Sequence, residues 1–177
     1  MKKFNITSQE KLPANNVKTL ESLNKALGFT PNIYSFMANS ATALNGFMSF
    51  NKMETLFNAK EHEVINLTAS QIRKCEYCLS AHVGIAKNAG FSDEEIVNIR
   101  KGEINFNEKF AALAEMTAQL VKSDGHIPEA TIEKFYNVGY TDAHLVDFMM
   151  IVAAISITNW LNNTTKLPVD FPLAPEI

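Results

Sequence analysis

Two cysteines and one tryptophan are all that 177 residues contain. A disulfide-stapled scaffold is excluded by that count. Proline is also scarce, and three of the six prolines are Pro168, Pro172 and Pro175, so most of the chain upstream is free to run as helix. Basic runs are missing: none is longer than Met1-Lys2-Lys3, and sixteen Lys and Arg are dispersed among nineteen acids for a net charge of −3. That leaves no electrostatic footprint for a phosphate backbone, and nucleic acid is not an expected partner. Alternating polar and β-branched runs of useful length are absent, which argues against strands. The longest apolar run, Phe148 to Ile157, is about half the ~20 residues needed to cross a bilayer and is flanked by Asp147, Asn159 and Asn162. It reads as a buried helix, with no membrane partner. The residues up to Thr7 lack the apolar segment of a secretory signal, so the expected location is cytoplasmic. In a reducing compartment a lone cysteine pair is redox-active, metal-binding or incidental rather than a static staple.

What is present is an ordinary globular composition, 46% apolar and 20% charged. The length fits one domain over residues 1–177 with its own core. Helix punctuation is legible. Val17, Leu20, Leu23 and Leu27 share a helical face before Gly28; Thr30-Pro31 restarts a helix; Ser40 opens a third through Leu56. Lys60 to Ala89 predicts one long helix, or two with a break between Arg73 and Cys75. Ser92 and Glu95 form a capping box for a helix to about Arg100, with Phe91 stapled onto Ile96. Amphipathic helices follow over Asn107–Lys122, from Pro128 to Val138, and from a Thr141 cap to about Asn163. The tail from about residue 165 is too proline-rich for helix and should lie extended across a neighbour. The fold class is all-α. A weak repeat of glycine, aromatic and hydroxyl residue recurs at Gly28-Phe29-Thr30, Gly90-Phe91-Ser92 and Gly139-Tyr140-Thr141.

The chemistry concentrates between Glu61 and His82. On a helix at about 100° per residue, Cys75, Cys78 and His82 fall within an arc of roughly 60° and can share one pocket. A Cys-x-x-Cys pair at a helix start has its thiolate favoured by amide dipoles and a nearby imidazole. A thiolate attacks a peroxide oxygen to give a sulfenic acid, which a second thiol one turn away condenses with to form a disulfide. A metal site from Cys75, Cys78 and His82 lacks a fourth ligand unless Glu63 supplies it. The helical wheel does not favour Glu63: the apolar side is Val64, Ile65, Thr68 and Ile72, which makes Glu63 a surface acid and Glu61 the better candidate. His62, His126 and His144 read as surface or capping groups, and Trp160 with Met149-Met150 as core or subunit interface.

The spacing Glu63, eleven residues, Cys75-x-x-Cys78, three residues, His82 resembles the alkyl hydroperoxidase D-like branch of the carboxymuconolactone decarboxylase superfamily. Gly28 to Tyr34, Gly90 to Ile96 and Asn159 to Asn163 with Leu167-Pro168 are similar to that family's peroxidase-related members. The resemblance implies an orthogonal multi-helix bundle and an antioxidant enzyme that reduces peroxides through a dithiol/disulfide cycle. It assigns Cys78 as the sulfur that becomes sulfenic acid, Cys75 as its proton donor and resolving partner, and Glu63 with His82 as the proton relay. It implies a small-molecule peroxide substrate, a lipoyl or thioredoxin-like protein dithiol reductant, no cofactor and a homo-oligomer. Some members carry a histidine where this chain has Tyr77, which shortens the relay. The decarboxylase branch lacks the cysteine pair, so lactone decarboxylation ranks below a non-enzymatic redox-sensing or metal-holding role as the alternative.

Overall fold

The computed structural model describes residue 4 and residues 6–177, so the Met1-Lys2-Lys3 run lies outside the described residues. Among these the chain forms nine α-helices and no strand. They are α1 (Ala14–Leu27), α2 (Asn32–Met37), α3 (Ala43–Asn51), α4 (Ala59–Ile72), α5 (Glu76–Asn88), α6 (Asp93–Lys101), α7 (Glu108–Ser123), α8 (Glu129–Asn137) and α9 (Asp142–Thr165).

The three repeated joints all turn through a left-handed glycine, with φ of 81° at Gly28, 91° at Gly90 and 95° at Gly139. At the second and third, the hydroxyl residue caps the next helix: Ser92 pairs with Glu95, and Thr141 with His144. His144 is thus a capping group, as expected. The first joint differs. Thr30 makes no cap, and Pro31 stands just before α2 rather than in its first turn. The first amides of α2 are satisfied from far away, Asn32 N–H donating to Asp170 Oδ2 (2.6 Å) and Ile33 N–H to the Tyr77 hydroxyl (3.2 Å). The third helix also departs from expectation, starting at Ala43 and stopping at Asn51, with Met53 and Leu56 exposed in the following loop.

Between α4 and α5 the chain breaks where the residue pattern allowed it. Lys74 N–H bonds to Gln71 C=O and Cys75 N–H to Ser70 C=O, the paired bonds of a Schellman motif. The left-handed position of that motif, usually glycine, is occupied by Lys74 at φ 53°. This turn leaves Cys75 extended at the mouth of α5, where its sulfur caps the new helix.

The central element is α4, which packs against α5, α6, α7 and α9. Val64, Ile65 and Leu67 are fully buried in a core shared with α5 to α9, each contributing about 1.5–3 kcal/mol. A second core joins α1, α2, α3, the end of α9 and the two cysteines. Helix α9 is long and apolar enough to cross a membrane by length and composition. One face of it, including Phe148, Val152, Ile155 and Asn159, is nevertheless buried in these cores. Its other face is bare: Val146, Met149, Ile157 and Trp160 are exposed, so Trp160 is not core within this chain. The tail, from Leu167 on, runs extended over α2, α5 and α6, held by Ala174 N–H on Ser80 Oγ and by the Arg100 guanidinium on Pro175 C=O. Phe171 packs edge-on against Tyr77 and Phe29.

Candidate active site

Three helices and the tail meet around the cysteines. Cys75 and Cys78 are free thiols, both buried, with sulfurs 2.6 Å apart. The Cys78 amide, one of the unpaired donors of the α5 start, points at Cys75 Sγ (3.4 Å). Thr158 Oγ1 of α9 lies 3.8 Å from Cys78 Sγ, and Asn162 Oδ1 lies 3.9 Å from Cys75 Sγ. Asn159, also buried, donates to Ser70 Oγ (3.1 Å) and so pins α9 to the end of α4 beside the pair.

The two thiols are driven apart in acidity. Cys75 is held below its ordinary value, chiefly by donation from the Cys78 thiol, which acts against burial; the Cys78 amide, Asn159 and the His82 charge add to the effect. Cys78 is pushed well above its ordinary value, because it donates to Cys75, is buried and faces the Cys75 charge. When the pair carries a single proton, these shifts favour its lying on Cys78.

One turn after Cys78, His82 Nδ1 is 2.8 Å from Glu63 Oε2, and Glu63 Oε1 accepts from Asn66 Nδ2 (3.0 Å). Burial alone would lower the His82 pKa, but the Glu63 charge and hydrogen bond, with Cys75, outweigh it and raise the value. The imidazolium is thus favoured, and its Nε2 makes no hydrogen bond to the described residues. His82 and Cys78 border one narrow recess of about 50 Å³ with Tyr34 and Thr158. That recess adjoins a cavity of about 400 Å³ whose walls include Glu63, His62, Leu23, Phe47, Ile155 and Phe171.

The structure thus brings together all four residues singled out by their spacing. It corrects the wheel on Glu61 and Glu63. Glu63 is only 4% exposed and faces His82, because α4 has neighbours on every side and no solvent face. Glu61 is buried too but points elsewhere, its Oε2 accepting from Asn58 N–H (2.9 Å) in the α4 cap and its Oε1 from the Tyr140 hydroxyl (2.8 Å). As a possible fourth metal ligand Glu63 is already engaged by His82 and Asn66, and among the described residues no three His, Cys, Asp or Glu side chains are grouped to hold a metal.

Tyr77 is not a relay member. Its hydroxyl accepts from Ile33, its ring supports Phe171, and burial raises its pKa far above the ordinary value. His62, expected as a surface or capping group, is half-buried, bonded through Nε2 to Thr55 Oγ1 (2.7 Å), and lines the larger cavity. Reasoning from spacing also missed Tyr34, Thr158, Asn159 and Phe171, which reach the site from α2, α9 and the tail. The recurrence of Asn159 and Asn162 on one helical face was the only local signal.

Residues 39–104, which carry Glu63, both cysteines and His82, match the model of the carboxymuconolactone decarboxylase family. No curated protein matches the chain in sequence. Among solved structures, the fold is similar to a peroxidase-related protein with an alkylhydroperoxidase AhpD core from Ralstonia eutropha JMP134, with a TM-score of 0.85 at 18% identity over 95% of this chain and 92% of that one. A peroxidase-related protein from Silicibacter sp. TM1040 aligns with a TM-score of 0.82 at 21% identity, covering 93% and 88%. The debrominase Bmp8, solved with 2,3,4-tribromopyrrole, aligns with a TM-score of 0.78 at 14% identity, covering 94% and 91%. The matched segment is thus similar to the carboxymuconolactone decarboxylase family, and the helical architecture around it is the alkyl hydroperoxidase D-like fold.

Proposed function

We propose that this protein reduces hydroperoxides through a dithiol/disulfide cycle at Cys78 and Cys75. The observation that carries the reading is a pair of touching free thiols, of which Cys78 opens onto the same recess as an imidazole paired with a buried carboxylate. Acidity favours a charge on Cys75, whereas access favours Cys78, the thiol that lines the recess. A proton shift across the 2.6 Å between the sulfurs reconciles the two, leaving Cys75 as the thiol and Cys78 as the attacking thiolate. The Cys78 sulfur then takes the terminal oxygen of the peroxide, forming S–O as O–O breaks, and the departing alkoxide takes the proton of the His82 imidazolium. The Cys75 thiol next attacks the sulfenic sulfur; S–S forms and water leaves. Glu63 holds the imidazole in place and favours its charged form between turnovers.

A protein dithiol of the lipoyl or thioredoxin-like kind is the proposed reductant. The working form is a homo-oligomer in which a second copy of this chain covers the bare face of α9. There Val146, Met149, Ala153, Ile157 and Trp160 recur at spacings of three and four, with small Ala153 at the middle where an identical helix can cross.

Peroxide consumption with a dithiol reductant tests the activity on wild type and Cys78→Ser. Turnover is expected in the wild type and a loss of at least about 10²-fold in the variant, as for removal of a covalent nucleophile. Equal rates would refute it. Oxidation without turnover would favour the redox-sensing alternative.

A further inference from the structure

One hydroxyl at the site has no task. Of the chain's four tyrosines, three have engaged hydroxyls: Tyr77 accepts from Ile33 N–H, Tyr136 donates to Asp142, and Tyr140 donates to Glu61. Tyr34 makes no side-chain hydrogen bond among the described residues, although it is half-buried. The hydroxyl is not among the fully buried unpaired atoms, so it meets the cavity and is available to solvent or a ligand.

Its position suggests which ligand atom does so. Tyr34 comes from α2, across from α4 and α5, and it lines both the narrow recess with Cys78 and His82 and the larger cavity beyond. Its ring leans on Phe47 with centroids 6.2 Å apart. Burial, with a smaller contribution from a charged Cys78, raises its pKa, so the phenol keeps its proton and acts as a donor.

We propose that Tyr34 is a further catalytic residue, whose hydroxyl donates a hydrogen bond to the leaving oxygen of the peroxide as Cys78 attacks the terminal one. The proposal rests on the dithiol reading above and adds a named contact to it. In the step, the Cys78 sulfur is oxidised by two electrons, the O–O bond takes them, and negative charge develops on the leaving oxygen. His82 supplies the proton that neutralises it. Tyr34 keeps its own proton and stabilises the charge while it lasts, in the manner of an oxyanion donor.

That role has a signature a structural tyrosine lacks. Loss of the donor should matter most where the leaving oxygen carries most charge, and little where it leaves as a resonance-stabilised carboxylate. The test is single-turnover oxidation of the reduced protein, read as loss of Cys78 thiol by quenched-flow mass spectrometry. Wild type and Tyr34→Phe are compared with tert-butyl hydroperoxide and with peroxyacetic acid, and matching melting curves confirm that the variant is folded. The expected result is a slowing of about 10- to 100-fold with the alkyl hydroperoxide and within about 3-fold with the peroxy acid. Equal slowing with both, or none with either, overturns the role of Tyr34 while leaving the dithiol reading intact. If the wild-type thiols resist both oxidants, the dithiol reading falls, and the proposal with it.

Discussion

Glu63 raises the proton affinity of His82 against the effect of burial, and this has a pH signature. In the unfolded chain the imidazole loses its proton near its ordinary value of 6.5; in the folded protein it does so at higher pH. Between the two values the folded state binds more protons than the unfolded one, so stability falls as pH rises through that window. The interaction is fully present below 6.5 and lost above the folded value. Denaturant melts of wild type and His82→Asn should therefore differ most near pH 6, by on the order of 2 kcal/mol, and converge as the pH is raised. A difference that grows with pH would contradict the assignment. At this scale the site was half legible. Cys75, Cys78 and His82 are near neighbours in sequence, and helical geometry relates such residues directly. Tyr34 is brought to the cysteines by tertiary packing, and beyond the recurrence of Asn159 and Asn162 no local pattern marks the approach of α9.

At the scale of elements, the turn between α4 and α5 sets the site. The Schellman bonds end α4 and present the α5 amides to Cys75, but the left-handed Lys74 costs about 1 kcal/mol or more against a glycine. Lys74→Gly is expected to raise the melting temperature by about 2–4 °C, and Lys74→Val, β-branched at a positive φ, to lower it. No change with either would mean that the turn carries no strain. Helix ends were readable because capping is local chemistry, as at Ser92 and Thr141. The exceptions are instructive: α2 is capped by Asp170 and Tyr77, far away in sequence. The misplacement of Glu63 has the same root. A wheel finds the buried side of a helix only when there is a solvent side, and α4, enclosed by four others, has both Glu61 and Glu63 inside.

For the whole molecule, the all-α architecture followed from the absence of strand patterns and the density of caps, and the structure has it. The extent of the bare α9 face did not follow, because Phe148 to Ile157 is apolar nearly all round and only packing shows which side is left over. If copies associate there, light scattering should give a multiple of the 19.7 kDa chain mass, and Trp160→Glu should reduce it to the monomer. A wild type that is already monomeric would remove the proposed interface.

In the proposed cycle, the depth at which the two sulfurs sit would also set the direction of recovery. Cys75 is 0% exposed behind Cys78, and of the two only Cys78 lines the recess. In the oxidised protein an incoming thiolate would therefore meet Cys78 first, and the sulfur expelled would be Cys75. The Cys78 amide at the head of α5, 3.4 Å from Cys75 Sγ, would stabilise the departing Cys75 thiolate. Burial and that amide favour the same polarity of exchange: the mixed disulfide would form on Cys78 as Cys75 leaves as a thiolate, and the reductant's second thiol would then expel Cys78 and close the reductant's own disulfide.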